Sequence, residues 1–198
     1  IPTRLSLLIS ATLMNVVYAK ERSDIVRTQC STCHGADGNT TSDLYPILAG
    51  QNQEYIVNQL KAYRDKTRTN LNAQRFMQGI ASRLTDEEIN NLAQYYSSLK
   101  PIHKHRITDA VKYEAGREIF LKGNTEKGIP ACAACHGEKA LGNQSIPSLA
   151  GQNAGYLKRQ FAVFHTNERP SASSTMQQFV KNLDDMEVNA LAEYLQAQ

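Results

Sequence analysis

Cys30, Cys33 and His34 fall within one pentapeptide, CSTCH, and Cys132, Cys135 and His136 repeat that spacing as CAACH. Two thiols so placed can act as a redox dithiol, as half of a zinc site, or as the attachment point of a haem. Zinc ribbons separate their two cysteine pairs by roughly 15 to 20 residues, whereas these pairs recur at an interval of 102. One ion would have to bridge two separate domains. A thioredoxin-like dithiol belongs in a βαβ unit, and no strand-like alternation surrounds either pair. The histidine directly after each pair favours the third chemistry. Such thiols add across the two vinyl groups of one haem, and the next residue then lies beneath the iron. On this reading Cys30 and Cys33 hold one covalent haem c with His34 as axial ligand, and Cys132, Cys135 and His136 hold a second.

A sixth ligand should be a soft, flexible donor further along the chain. There are four methionines, at 14, 77, 176 and 186. Met77 and Met176 occupy matching positions just before the last helix of each half, as an axial ligand on a returning loop would. Met186 aligns with Glu87 within that helix and reads as a structural or surface residue, and Met14 falls in the leader.

The elements that must position these groups occur twice, because the chain is a tandem duplication. After the cysteine motif, PILAGQNQEYIVNQL from Pro46 returns as PSLAGQNAGYLKRQF from Pro147, and MQGIASRLTDEEINNLAQYY from Met77 returns as MQQFVKNLDDMEVNALAEYL from Met176. The offset drifts only from 102 to 101 to 99. Ile56, Leu60 and Tyr63 share one helical face, which Leu157, Phe161 and Phe164 reproduce. Thr85 with Glu88, and Asp184 with Glu187, predict capped starts of the last helices, whose apolar stripes are Ile89, Leu92, Ala93, Tyr96 and Val188, Leu191, Ala192, Leu195. Further amphipathic segments are expected at 114–121 and, shorter, at 24–29. The fold class is therefore all-α, with two tandem domains over 20–98 and 111–198 joined by a polar linker at 99–110.

Residues 1–19 read as a signal peptide: one basic residue, an apolar run from Leu5 to Val17, and a small-residue cleavage pattern at 17–19. An uncleaved anchor is the alternative, although the run is short for a membrane span of about 20 residues. The formal charge of +3, or +2 without Arg4, gives no nucleic-acid footprint. A domain of roughly 80 to 90 residues buries little surface, so a large apolar cofactor would supply much of its core.

These residues resemble a diheme class I c-type cytochrome, and the doubled LAGQN..Y with paired M......L.D.E resembles the cytochrome c4 family over most of the chain from Asp24 onward. The resemblance implies two class I cytochrome c domains, His/Met iron in each, a periplasmic location, and peripheral association with the membrane. It also implies that Pro46 and Pro147, twelve and eleven residues after the histidines, accept the other ring N–H of each through their carbonyls. Arg68 and Arg169 match between the halves and resemble an arginine near the haem propionates; a solvated arginine is the competing expectation. His165 aligns with Arg64 and is expected at the surface or on the propionate side. His103 and His105 belong to the basic linker.

With both axial positions filled by side chains, the centre is left with outer-sphere electron transfer. The expected partners are redox proteins: a quinol-oxidising complex or other donor, and a terminal oxidase or other acceptor. Two enzymatic alternatives are the cytochrome subunit of a dehydrogenase complex and a diheme peroxidase. The latter would need a displaceable sixth ligand, which a methionine in both halves argues against. The loops ADGNTTSDLY and EKALGNQSI differ, so the two haems are expected to have unequal potentials.

Overall fold

The computed structural model describes residues 24–102, 107–166, 168–169 and 174–198. His103, His105, Met14 and the expected leader lie outside them. Among the described residues the regular structure is helical, with two isolated β-bridges, Asn124 with Ile129 and Asn143 with Ile146. No described helix is long and apolar enough to cross a membrane.

In the first half a π-helical turn, Val26–Cys30, runs directly into α1, Ser31–His34. α2 spans Gln53–Arg64; a second π turn, Ala73–Met77, leads into α3, Gln78–Ala81; and α4 spans Asp86–Ser98. The second half repeats the plan with α5, Ala110–Lys122, a 3₁₀ turn at Thr125–Lys127, α6, Ala133–His136, α7, Ala154–His165, α8, Ser174–Val180, and α9, Asp185–Gln196.

Both capping boxes form as the sequence predicts. The Thr85 hydroxyl and the Asp184 carboxylate accept from the backbone N–H of Glu88 and Glu187, whose carboxylates reach back to the cap N–H groups. Each satisfies two backbone donors that a helix start otherwise leaves open. The predicted stripe of α4 is buried throughout: Ile89, Leu92, Ala93 and Tyr96 join Val26, Ile56 and Leu84 in one core. A second core gathers Phe120, Ile129, Leu157, Phe164, Val180, Leu183, Leu191 and Leu195.

Two elements differ from expectation. Helix α5 begins at Ala110 rather than 114, because the Asp109 carboxylate caps it through the N–H of Lys112. Met77 and Met176 lie on helical segments, not on a free loop. The reason is local: Ala73, Met77 and Ala81 recur at four-residue spacing and bury both alanines, and Met176 and Val180 do the same in α8.

The chain entering the second half is fastened by one buried carboxylate. Glu193 on α9 accepts from the Thr108 N–H and hydroxyl, the Asp109 N–H and the Gln196 amide. Burial by itself would raise its pKa, but these hydrogen bonds outweigh it and hold the carboxyl below its ordinary value of 4.5. The native state therefore binds the proton less readily than the unfolded chain. The stabilisation is fully present above pH 4.5 and is lost as the pH falls through the lower, folded value. Glu193→Gln should cost about 2 kcal/mol at neutral pH, with the gap to wild type closing in acid; urea midpoints at several pH values measure it.

Candidate functional site

Each cysteine motif folds as a single helical turn that ends on its histidine, and the following glycine turns the chain away at positive φ, 82° at Gly35 and 75° at Gly137. Only a residue without Cβ takes that conformation freely. The turn leaves His34 and His136 each 6% exposed. Their Nδ1 atoms lie 3.0 Å from the Pro46 carbonyl oxygen and 3.1 Å from that of Pro147. A carbonyl only accepts, so Nδ1 carries the proton and each Nε2 keeps a lone pair for a metal. Burial pushes both imidazoles below their ordinary pKa, against the opposing pull of the proline carbonyls. They are held neutral, the form that ligates.

The first thiol of each pair is not activated as a redox nucleophile, which depends on a depressed pKa. Burial pushes Cys132 up to about 11 and raises Cys30, the latter partly offset by the nearby Tyr96 hydroxyl. Among the described residues no three His, Cys, Asp or Glu side chains gather as a metal cluster, so the zinc alternative has no site. His165 is exposed and its Nε2–H donates to the Val180 carbonyl, tying α7 to the end of α8. Met186 is 78% exposed, in the first turn of α9.

The loops that follow the two motifs meet at a junction that sequence reasoning missed. Gln51 and Gln152, both buried, occupy equivalent positions in the repeats and make the same contacts in opposite directions. The Gln51 amide donates to the Ser148 carbonyl at 2.9 Å and accepts from its N–H at 2.8 Å. The Gln152 amide donates to the Ile47 carbonyl at 3.0 Å and accepts from its N–H at 2.8 Å. Asn52 and Asn153 extend the pattern, donating to Leu141 and Ile146, and to Thr40, Ser42 and Tyr45. LAGQN thus ties each half to the loop that carries the other half's proline. The available signal was its identity in both repeats, at 48–52 and 149–153, at positions with no haem-binding duty.

Arg68 and Arg169 also lie in this junction. They are 2% and 3% exposed, which overturns the solvated alternative. Arg68 donates to Gln59 and, across the junction, to Gln160; Arg169 donates to Gln160 and, across it, to Gln59 and the Tyr55 hydroxyl. Every one of these partners is neutral. Burial would raise the Tyr55 pKa, but the charges of Arg169 and Arg68 bring it below its ordinary value. Among the described residues, buried Arg169 Nε and Arg159 Nη2 have no acceptor. Buried guanidinium groups without a carboxylate are costly unless an anion accompanies them, and haem propionates are anions of the size and chemistry that this donor set fits.

The comparisons with known proteins agree with this construction. A cytochrome c family profile matches residues 19–100, and one described as cytochrome c oxidase, cbb3-type, subunit III matches 112–195. Cytochrome c4 of Pseudomonas aeruginosa is 32% identical over 171 residues, 84% of this chain and 82% of its own. The chain belongs to the cytochrome c4 family. The solved cytochrome c4 of Acidithiobacillus ferrooxidans superposes with a TM-score of 0.79 at 36% identity, over 85% of this chain and 98% of that one. A protein named thiosulfate dehydrogenase electron acceptor, from Thiomonas intermedia, is 36% identical over 85% of this chain and 78% of its own length. As a cytochrome c4, the chain is an electron-transfer protein rather than an enzyme, and its two cytochrome c domains carry two covalent haem c groups at the 30/33 and 132/135 cysteine pairs.

Proposed function

We propose that this cytochrome c4 is a periplasmic carrier that takes electrons from a respiratory donor and delivers them to a terminal oxidase or similar acceptor. In this reading His34 with Met77, and His136 with Met176, are the axial ligand pairs. The observation that carries it is the matched hydrogen bond from each histidine Nδ1 to Pro46 or Pro147, which leaves Nε2 free in both halves. When bound, each haem supplies a one-electron couple. The protein's share is to hold the imidazoles neutral and oriented, to exclude water with the two cores, and to hold the halves in fixed register through Gln51 and Gln152. Electrons then pass between the centres without the protein having to rearrange. Docking through small, weak interfaces keeps turnover fast.

The relative named thiosulfate dehydrogenase electron acceptor supports a second reading, in which the donor is a dehydrogenase that holds this chain as its cytochrome partner. Pull-down of the holoprotein from its own periplasm separates the two: a stoichiometric dehydrogenase supports the subunit, and a free monodisperse cytochrome supports the carrier.

Replacing Met77 by Ala tests the ligand assignment. The oxidised protein should lose about half of its long-wavelength sulfur-to-iron band, keep both haems, and shift only one reduction potential, downward, since a Met/His pair raises it. Met176→Ala should remove the other half. A full-strength band in either variant would refute that methionine's role.

A further inference from the structure

The two halves differ at their anchoring sulfurs in a way that neither the ligands nor the junction account for. Tyr96 on α4 is 2% exposed and belongs to the core against which Cys30 packs; its hydroxyl has no hydrogen-bond partner among the described residues and lies near the Cys30 sulfur. Its ring packs edge-on to Tyr95 at 5.1 Å and against Gly38, where an added Cβ would meet it at 3.0 Å. Tyr45, one residue before Pro46, faces the Cys33 sulfur with its hydroxyl and packs edge-on to the His34 ring at 6.0 Å. A second edge contact, to Phe76, holds it from the other side. In the second half the equivalent positions are Leu195 and Ile146, neither of which has a donor.

We infer that Tyr96 and Tyr45 are positioning residues that set the N-terminal haem apart from its twin by placing a phenol hydroxyl at each of its two attachment sulfurs. The inference rests on the haem attachment described above and concerns its electronics, not its ligands. A buried polar hydrogen without an acceptor is costly, and Tyr96 keeps one where an apolar residue serves in the other copy. Once Cys30 and Cys33 are thioethers, each sulfur is a weak acceptor joined to the macrocycle. A donor there gains most when an electron arrives and negative charge builds up, so it favours the reduced state. Hydrogen bonds near such a centre are among the levers that tune its potential. Tyr96, enclosed by the core, carries the larger share; Tyr45 is half-exposed and competes with water.

The test is the holoprotein with Tyr96→Phe, Tyr45→Phe and both, each isosteric apart from the hydroxyl. Potentials are followed haem by haem through resolved methyl resonances in NMR-monitored redox titrations, with haem count and the sulfur-to-iron band as controls. The double variant should keep two haems and the full band. Its N-terminal haem should be harder to reduce by about fivefold in the equilibrium constant, the effect of one typical hydrogen bond, and its C-terminal haem should be unchanged. Tyr96→Phe alone should give most of that shift. An unmoved N-terminal potential, or equal shifts of both haems, overturns the inference while leaving the carrier reading intact. Loss of a haem or of the band in wild-type protein would instead strike at the carrier reading.

Discussion

Removing both junction amides, with Gln51→Ala and Gln152→Ala together, should destabilise the protein by about 4 kcal/mol, one for each of the four main-chain hydrogen bonds they make across the halves. The Ile47 N–H and C=O would be left buried without partners, where the loss exceeds that of a solvated bond. Each amide oxygen also accepts from the next residue's N–H, so the starts of α2 and α7 loosen as well. Calorimetry should show the melting temperature lowered by about 10 °C for a chain of this size. The two halves, which keep separate cores, should then melt in separate steps. Either single variant should give about half the loss, since the two amides sit at equivalent places. An unchanged single transition in the double variant would mean that the amides do not hold the halves together.

The second large effect is steric. α5 crosses α9 at Gly116, where an added Cβ would lie 2.0 Å from the Ala190 carbonyl oxygen and 2.9 Å from Tyr194 Cβ. Backbone cannot yield as a flexible side chain can, so Gly116→Ala must push the two helices apart. That separation loosens Phe120 and Tyr113 from the Tyr194 ring they pack against, at 5.3 and 5.4 Å. The expected cost is about 3 kcal/mol, at the upper end of the usual range for overpacking. It should fall on the second half, seen as loss of C-terminal sulfur-to-iron ligation at lower urea than N-terminal ligation. Gly79→Ala is the matching control: nothing lies within 4 Å of its Cβ, and alanine there should be neutral or slightly stabilising because it favours the helix. Equal urea midpoints for Gly116→Ala and wild type would show that the crossing is looser than the geometry states.

What could be read in advance divides by how local its cause is. Covalent attachment needs two cysteines and a histidine in one turn, so the haem motifs are written in five consecutive residues. Helix starts are equally local, and the boxes at Thr85 and Asp184 form as expected. The Nδ1 bonds to Pro46 and Pro147 came only through family resemblance, since a proline eleven or twelve residues away has no local signature of that role. The junction was not legible, because a buried glutamine looks in sequence like any surface glutamine until its partner 97 or 105 residues away is known. Arg68 and Arg169 were ambiguous for the same reason: exposure is decided by the other half. Met77 and Met176 were singled out by their matching positions, yet expected on a loop, because four-residue spacing of small and apolar residues is a faint signal beside the stripes of α4 and α9.

The most direct measurement of the central claim is the visible spectrum of the oxidised holoprotein during a redox titration, with haem counted per chain. Two haems, two one-electron steps and a sulfur-to-iron band of two equivalents are predicted. A high-spin ferric centre at rest, or a band worth one equivalent or none, would contradict the assignment of His34 with Met77 and His136 with Met176 and would reopen the enzyme alternative.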